Sequence, residues 1–373
     1  MRQRTVHIRQ TAVLLQALLL TSASTLAAEG NEATGPGYYL DQIPSEVVAT
    51  MEVRDRWFTS TEAFVEAQAY LVEDIVRWLP GQTVRVAFLG GTPALHREIA
   101  EATKQITDAA NNKLDFGFDA STGKYRSWST SDSTYSAEIR VSFDQGGYFS
   151  LVGADSVSNV IGPPKGPVGG RPGQRSLNLG GFHLQRPVGW KGIVRHEFLH
   201  ALAFQHEHQS PSGGCDNEFR WQDDQNYQPT WNADDVFIED ANGNRPGIYT
   251  YLAGAPNHWE KSKVDHNLRQ LSGPGLTVGG FDRASIMLYR FPALFYKTYP
   301  ASPCAPVGDG QELSAGDRSG LQHLYPTDAT EAALLSVRRD GALRSLMATE
   351  GLSKSIKEGL ALQVDKLKFK GQV

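Results

Sequence analysis

The chain of 373 residues has only two cysteines and four methionines. Two cysteines cannot build a disulfide scaffold, and they are too few for a Cys₄ zinc site. Beyond the first 28 residues no segment approaches the roughly 20 apolar residues that a membrane span needs. Runs of basic charge are missing as well. The formal net charge is −5, and Arg2, Arg4 and Arg9 belong to the leading segment, so the remainder is more acidic still. Such a chain is a poor partner for nucleic acid or an anionic membrane. The glycines of residues 162–173 are not followed by GK[ST], which excludes a phosphate-binding loop. No internal repeat is found. With 40% hydrophobic and 21% charged residues, full-length disorder is excluded.

Residues 1–28 read MRQRTVHIRQTAVLLQALLLTSASTLAA. Arginines, an apolar stretch and a small-residue end follow in the order of a secretory signal peptide. A membrane anchor is the competing reading, but the strongly apolar part, residues 11–20, covers only about half of a span. Cleavage is expected after Ala27 or Ala28. The mature protein would then be soluble and exported, secreted or periplasmic, where a disulfide persists.

Residues 29–77 form an N-terminal extension or pro-segment, with one helix expected over 62–78. Strand patterns follow at 83–89, 114–118, 137–143, 148–153 and 176–179. Thr92 and Pro93 open an amphipathic helix that runs to Ala109. Another helix starts near Trp190, a helical patch covers 259–271, and Ser314 with Asp317 caps a helix that ends near Tyr325. Residues 328–373 look like a helical tail of unknown role. The order argues an α+β fold, a mixed sheet with helices packed against it.

The chemistry concentrates in residues 194–211, VRHEFLHALAFQHEHQSP. His196 and His200 are four apart, so on a helix both imidazoles reach one metal ion, with Glu197 beside a water on it. Chance supplies roughly 0.01–0.02 such motifs in a chain of this length. Ile193, Val194, Phe198, Leu199, Leu202 and Ala203 make the helix apolar nearly all round. It should be buried, and buried His and Glu need partners. His206 can join only if the helix ends near residue 203 and the chain turns back. Three histidines with one open position make a catalytic zinc site, in which a water of lowered pKa gives its proton to the carboxylate.

These residues resemble the metzincin metallopeptidases, and most closely their astacin-like branch, whose signature is HExxHxxGxxH followed by a methionine turn. His196, Glu197, His200, His206 and Glu207 match the first part, and Ser285-Ile286-Met287-Leu288-Tyr289 is similar to the second. Trp78 to Gly81, residues 148–153, 259–267 and 313–326 also fit, so the resemblance covers about residues 78–327. It implies a two-subdomain catalytic domain: a twisted five-stranded mixed sheet with two long helices, above a less regular lower part with the Met turn and a C-terminal helix. It implies one Zn²⁺ on His196, His200 and His206, and Glu197 as general base. Met287 would lie beneath the metal, and Tyr289 would swing off it to stabilise the oxyanion. A protein or peptide substrate would add to the sheet edge at Ser150, Leu151 and Val152. The reading is a secreted zinc endopeptidase. A secreted binding or toxin-like module that keeps the metal only for structure, or an enzyme of narrow substrate range, is the alternative.

Three departures from the pattern stand out. Ala203 replaces the glycine before the third ligand. The spacing from His206 to Met287 is long, so residues 212–282 carry an insertion. No aspartate that would plug the zinc from the pro-segment is evident. Cys215 and Cys304, both expected in the lower subdomain of an exported chain, should pair. His208 is read as a solvated turn residue in preference to a group behind the ligands. His183, His258, His266 and His323 are read as structural or surface. Asp240 to Asn244 has a calcium-loop flavour but lacks the closing Glu.

Overall fold

The computed structural model describes residues 40–59, 76–271, 279–348, 352 and 354–368. The expected signal peptide and most of the helix expected over 62–78 lie outside the described residues.

β1 (Thr83–Phe88) alternates as a strand should, and Val84 and Val86 are fully buried. It pairs in parallel with β2 (Lys113–Asp115) and β3 (Ile139–Ser142). β3 pairs in parallel with β5 (Leu177–Leu179), and β4 (Tyr148–Ser150) closes the edge antiparallel to β5. The five-stranded sheet has the order β2-β1-β3-β5-β4. This is the mixed sheet of the expected α+β fold.

Thr92 Oγ1 caps α2 (Pro93–Ala102) by accepting from the Leu95 N–H. The amphipathic run expected to reach Ala109 breaks at Thr103, and α3 (Lys104–Ala109) resumes after it. The Thr103 hydroxyl donates to the Ala100 carbonyl at 2.9 Å, a local bond that competes with helix continuation.

Two helices were not expected. In α1 (Ser45–Thr59) the valines disfavour helix locally. Burial of Val47, Val48 and Met51 against Phe149, Leu151, Ile161 and Val168 makes up for it. α5 (Ile248–Ala253) is six residues, too short to display a period.

α4 (Trp190–Ala201) packs under the sheet, where Val194, Phe198 and Leu199 meet Val86, Phe88, Ile139, Val141 and Leu177. A second apolar cluster lies below, with Phe219, Ile248, Leu252, Trp259, Phe291 and Phe295 at its centre. α6 (Lys261–Leu268) contributes Val264 and Leu268 to it. The Cys215–Cys304 disulfide sits in this lower cluster, both residues fully buried, as expected. α7 (Ala315–Leu324) returns to the upper core through Leu321 and Leu324. The tail forms α8 (Ala329–Ala348) and α9 (Lys354–Lys368), which share Leu343, Leu360 and Val364.

Candidate metal centre

α4 is buried along its last ten residues, which carries His196, Glu197 and His200 into the seam between the two clusters. The helix stops where the third histidine requires it to. Ala203 takes φ 72°, and the chain closes with Ala203 N–H donating to the His200 carbonyl and Phe204 N–H to the Leu199 carbonyl. The alanine thus adopts the left-handed conformation that glycine takes freely, at about 1 kcal/mol.

His206 comes back onto the cluster. Its Nε2 is 3.0 Å from that of His200, which is 3.1 Å from that of His196. The three Nδ1 atoms face oxygen acceptors: the carbonyls of Ile286 and Phe204 at 2.8 Å, and Gln209 Oε1 at 3.1 Å. Each Nδ1 is therefore assigned the proton, which leaves the Nε2 lone pairs converging on one point. Burial, opposed by Asp41, pulls His196 down to about 3, and burial lowers His206 too, so these rings are neutral and fit to ligate.

A fourth group completes the cluster. Asp41 lies 3.1 Å from His200 Nε2, 3.2 Å from His206 and 3.7 Å from His196. The four donor atoms lie within 4.8 Å of one another, all buried. Burial alone would raise the Asp41 carboxyl, but the imidazoles, His206 foremost, hold it well below its ordinary value. This corrects the reading that the extension carries no such aspartate. Ten acidic residues lie between 29 and 77, and no spacing separates Asp41 from the others.

Glu197 is fully buried, and neither carboxylate oxygen makes a hydrogen bond of good geometry. Burial first, and then Asp41, pushes its carboxyl well above the ordinary range. Buried polar atoms without partners are rare and mark a group that belongs there. Asp41 Oδ1 is another. Three imidazole nitrogens with oxygen donors beside them suit Zn²⁺, so the residues present fit the ion.

Tyr289 borders the cluster. Its ring centroid is 4.1 Å from that of His206, and its Oη accepts from the Asp41 N–H at 2.9 Å. Burial raises its phenol well above the usual value, so it stays protonated. Met287 is buried in the turn below, where its carbonyl accepts from the Glu207 N–H.

Sequence reading missed what holds this turn. Asp317 accepts from the Ser285 hydroxyl at 2.6 Å and the Ile286 N–H at 3.0 Å, and it also closes the Ser314 capping box of α7. The capping pair was legible, but its second task was not. Gln209 was missed too. It holds His206 and donates to the His266 and Arg269 carbonyls at the end of α6.

His208 is not a solvated turn residue. It is fully buried, stacked on Tyr289 at 4.9 Å, with Nε2 on the Asn267 carbonyl. The lower cluster closes over it, which its polar local sequence did not suggest. Asp240 turns its carboxylate to the backbone N–H groups of Gln228, Asn242 and Asn244.

Ser150 and Leu151 are buried, and the Leu151 N–H donates to the Ser176 carbonyl inside the sheet. On the outer side of β4, the Tyr148 carbonyl accepts from the Gln42 N–H at 2.9 Å. A cavity of about 430 Å³ opens beside His206, lined by Val76, Phe204, Glu207, Asp282 and His323. Burial raises Glu207 there to about 7.

No family model and no curated protein matches the chain. Solved structures do. A structure of myroilysin is 26% identical with a TM-score of 0.46, over 68% of this chain and 97% of that one. A second myroilysin structure is 22% identical, TM-score 0.38, over 67% and 86%. High choriolytic enzyme 1, a hatching enzyme zinc-protease from Oryzias latipes, is 16% identical, TM-score 0.37, over 67% and 94%. The helix that carries His196 and His200, the turn at Ala203 that returns His206 and the buried turn at Met287 bring together the residues on which the resemblance to astacin-like metzincins rests.

Proposed function

We propose that the protein is an exported zinc endopeptidase, held latent by its own N-terminal extension. The observation that carries this is the convergence of three imidazole Nε2 atoms and the buried carboxylate of Glu197 beside Asp41. Zn²⁺ bound there supplies Lewis acidity that polarises a carbonyl and lowers the pKa of a water. Glu197 takes the proton of the attacking water and passes it to the leaving amine. Tyr289, kept protonated by burial, donates its O–H to the developing oxyanion once Asp41 has left. The substrate backbone extends the sheet at the outer side of β4, where the Gln42 N–H now sits on the Tyr148 carbonyl. Asp41 and α1 fill that trough, so the extension has to leave before a substrate enters. The leader of residues 1–28 directs export.

A purely structural metal site has no use for a buried carboxylate next to its first ligand, which favours the enzyme over a binding module. Glu197→Gln decides between them. It keeps the ligands, so about one zinc per chain should stay bound, while peptidase rate falls by roughly 10²–10⁴-fold. Undiminished cleavage in that variant would remove Glu197 from the role.

A further inference from the structure

α1 does more than cover the metal. It lies in a trough with β4 and its following turn on one wall and α6 on the other. Gln42, just ahead of α1, bonds both walls: its N–H reaches the Tyr148 carbonyl, and its Oε1 accepts from Trp259 Nε1 at 3.3 Å. One charged contact on the β4 wall is built differently from the rest. Asp155, on the turn Gly153–Val157, is 4% exposed. Its carboxylate pairs with the Arg54 guanidinium, itself nearly buried and also bonded to Asp55 at 2.9 Å. Among the described residues Arg54 is the one cation on that carboxylate. A carboxylate so buried is costly without a positive partner. If α1 leaves, this carboxylate loses its cation.

The direction of β4 says which part of a substrate would reach it. The strand starts at Tyr148 beside the Asp41 end and runs towards Asp155, seven residues on. A peptide added antiparallel runs from Asp155 towards the metal. At about 3.3 Å per residue, less where the turn shortens the path, the pocket lies roughly three to five residues before the scissile bond. We propose that Asp155 is a specificity pocket for an arginine side chain on the N-terminal side of the scissile bond, with Arg54 as its occupant in the latent chain. Arginine fits better than lysine, because a guanidinium is less strongly hydrated and more easily buried against a carboxylate. The proposal rests on the endopeptidase reading and on release of α1.

Two measurements test it. In the full chain, Arg54→Ala empties the pocket. N-acetyl-arginine amide should then raise the melting temperature, and the neutral isostere N-acetyl-citrulline amide should not. In active enzyme released from the full chain, a peptide library with arginine or citrulline at each upstream position should show at least about tenfold higher kcat/KM for arginine at one position. Asp155→Asn should bring that ratio below about twofold. Equal stabilisation by the two amides, or an arginine preference that survives Asp155→Asn, overturns the pocket. If Asp155→Asn fails to fold, the Arg54→Ala arm decides. Should no peptide be cut while the arginine amide still stabilises Arg54→Ala, the peptidase reading falls and the guanidinium site stands.

Discussion

Asp41 is the residue whose removal should change the intact chain most. Its carboxylate faces His200 and His206 at 3.1 and 3.2 Å in a fully buried site. With the Nε2 lone pairs turned to one point, the carboxylate would be held there through the cation they share, and breaking a buried charged contact of that kind costs about 3–5 kcal/mol. That favours the closed over the open trough by roughly 10²–10⁴-fold. Asp41→Ala deletes these contacts but leaves the apolar face of α1 on Phe149, Leu151, Ile161 and Val168. The helix should therefore stay docked part of the time, and the realised gain should lie nearer the lower figure. The assay is cleavage of a quenched peptide by the full-length chain, its integrity checked by mass before and after. Asp41→Ala should raise the activity of the uncut chain at least tenfold. If the uncut variant stays as silent as the parent while the processed form is active, the carboxylate is a bystander and latency resides elsewhere.

Other expectations can be checked independently. Tyr289→Phe should lower turnover by about 10–10³-fold with zinc retained, since three imidazoles remain; zinc loss with unfolding would make the tyrosine structural. Reduction of Cys215–Cys304, which closes a separation of 89 residues, should cost up to about 4–5 kcal/mol in chain-entropy terms. Urea denaturation with and without reductant measures it, and coincident midpoints would contradict it. Ala203→Gly should raise thermal stability slightly, by up to about 1 kcal/mol, because it relieves φ 72°. The greater freedom of glycine in the unfolded chain reduces that gain. A clear fall in melting temperature would mean that the Ala203 methyl packs favourably against Gly153.

What was legible in the sequence was what depends on local spacing. The i,i+4 histidines, the Thr92 and Ser314 caps, and the alternation of residues 83–88 each express a rule that operates within one turn or one strand. The histidine cluster followed because its three members lie within 11 residues and the bend between them could be required on geometric grounds. What stayed hidden spans long separations. Asp41 reaches His200 across more than a hundred residues, with no pattern around it that distinguishes it from other acids. Asp317 looked like a cap because its cap partner is three residues away, whereas its bonds to Ser285 and Ile286 are not local. His208 looked polar and exposed until Tyr289, Phe291 and Asn267 closed around it. α1 is helical because of what it covers more than because of what it contains.

The double duty of Asp317 bears on the order in which the molecule is completed. The imidazoles are all synthesised by residue 206, but the turn beneath them is tied to a carboxylate 111 residues further on, at the start of α7. Tyr325, at the end of the same helix, donates its hydroxyl to the Leu202 carbonyl, where α4 ends. A growing chain thus carries every metal-binding nitrogen long before it carries the brace that fixes them. Until α7 emerges, the turn beneath the histidines lacks these bonds, so the site is not yet held in shape. Zinc uptake by nascent chains arrested before and after residue 325 would show the difference.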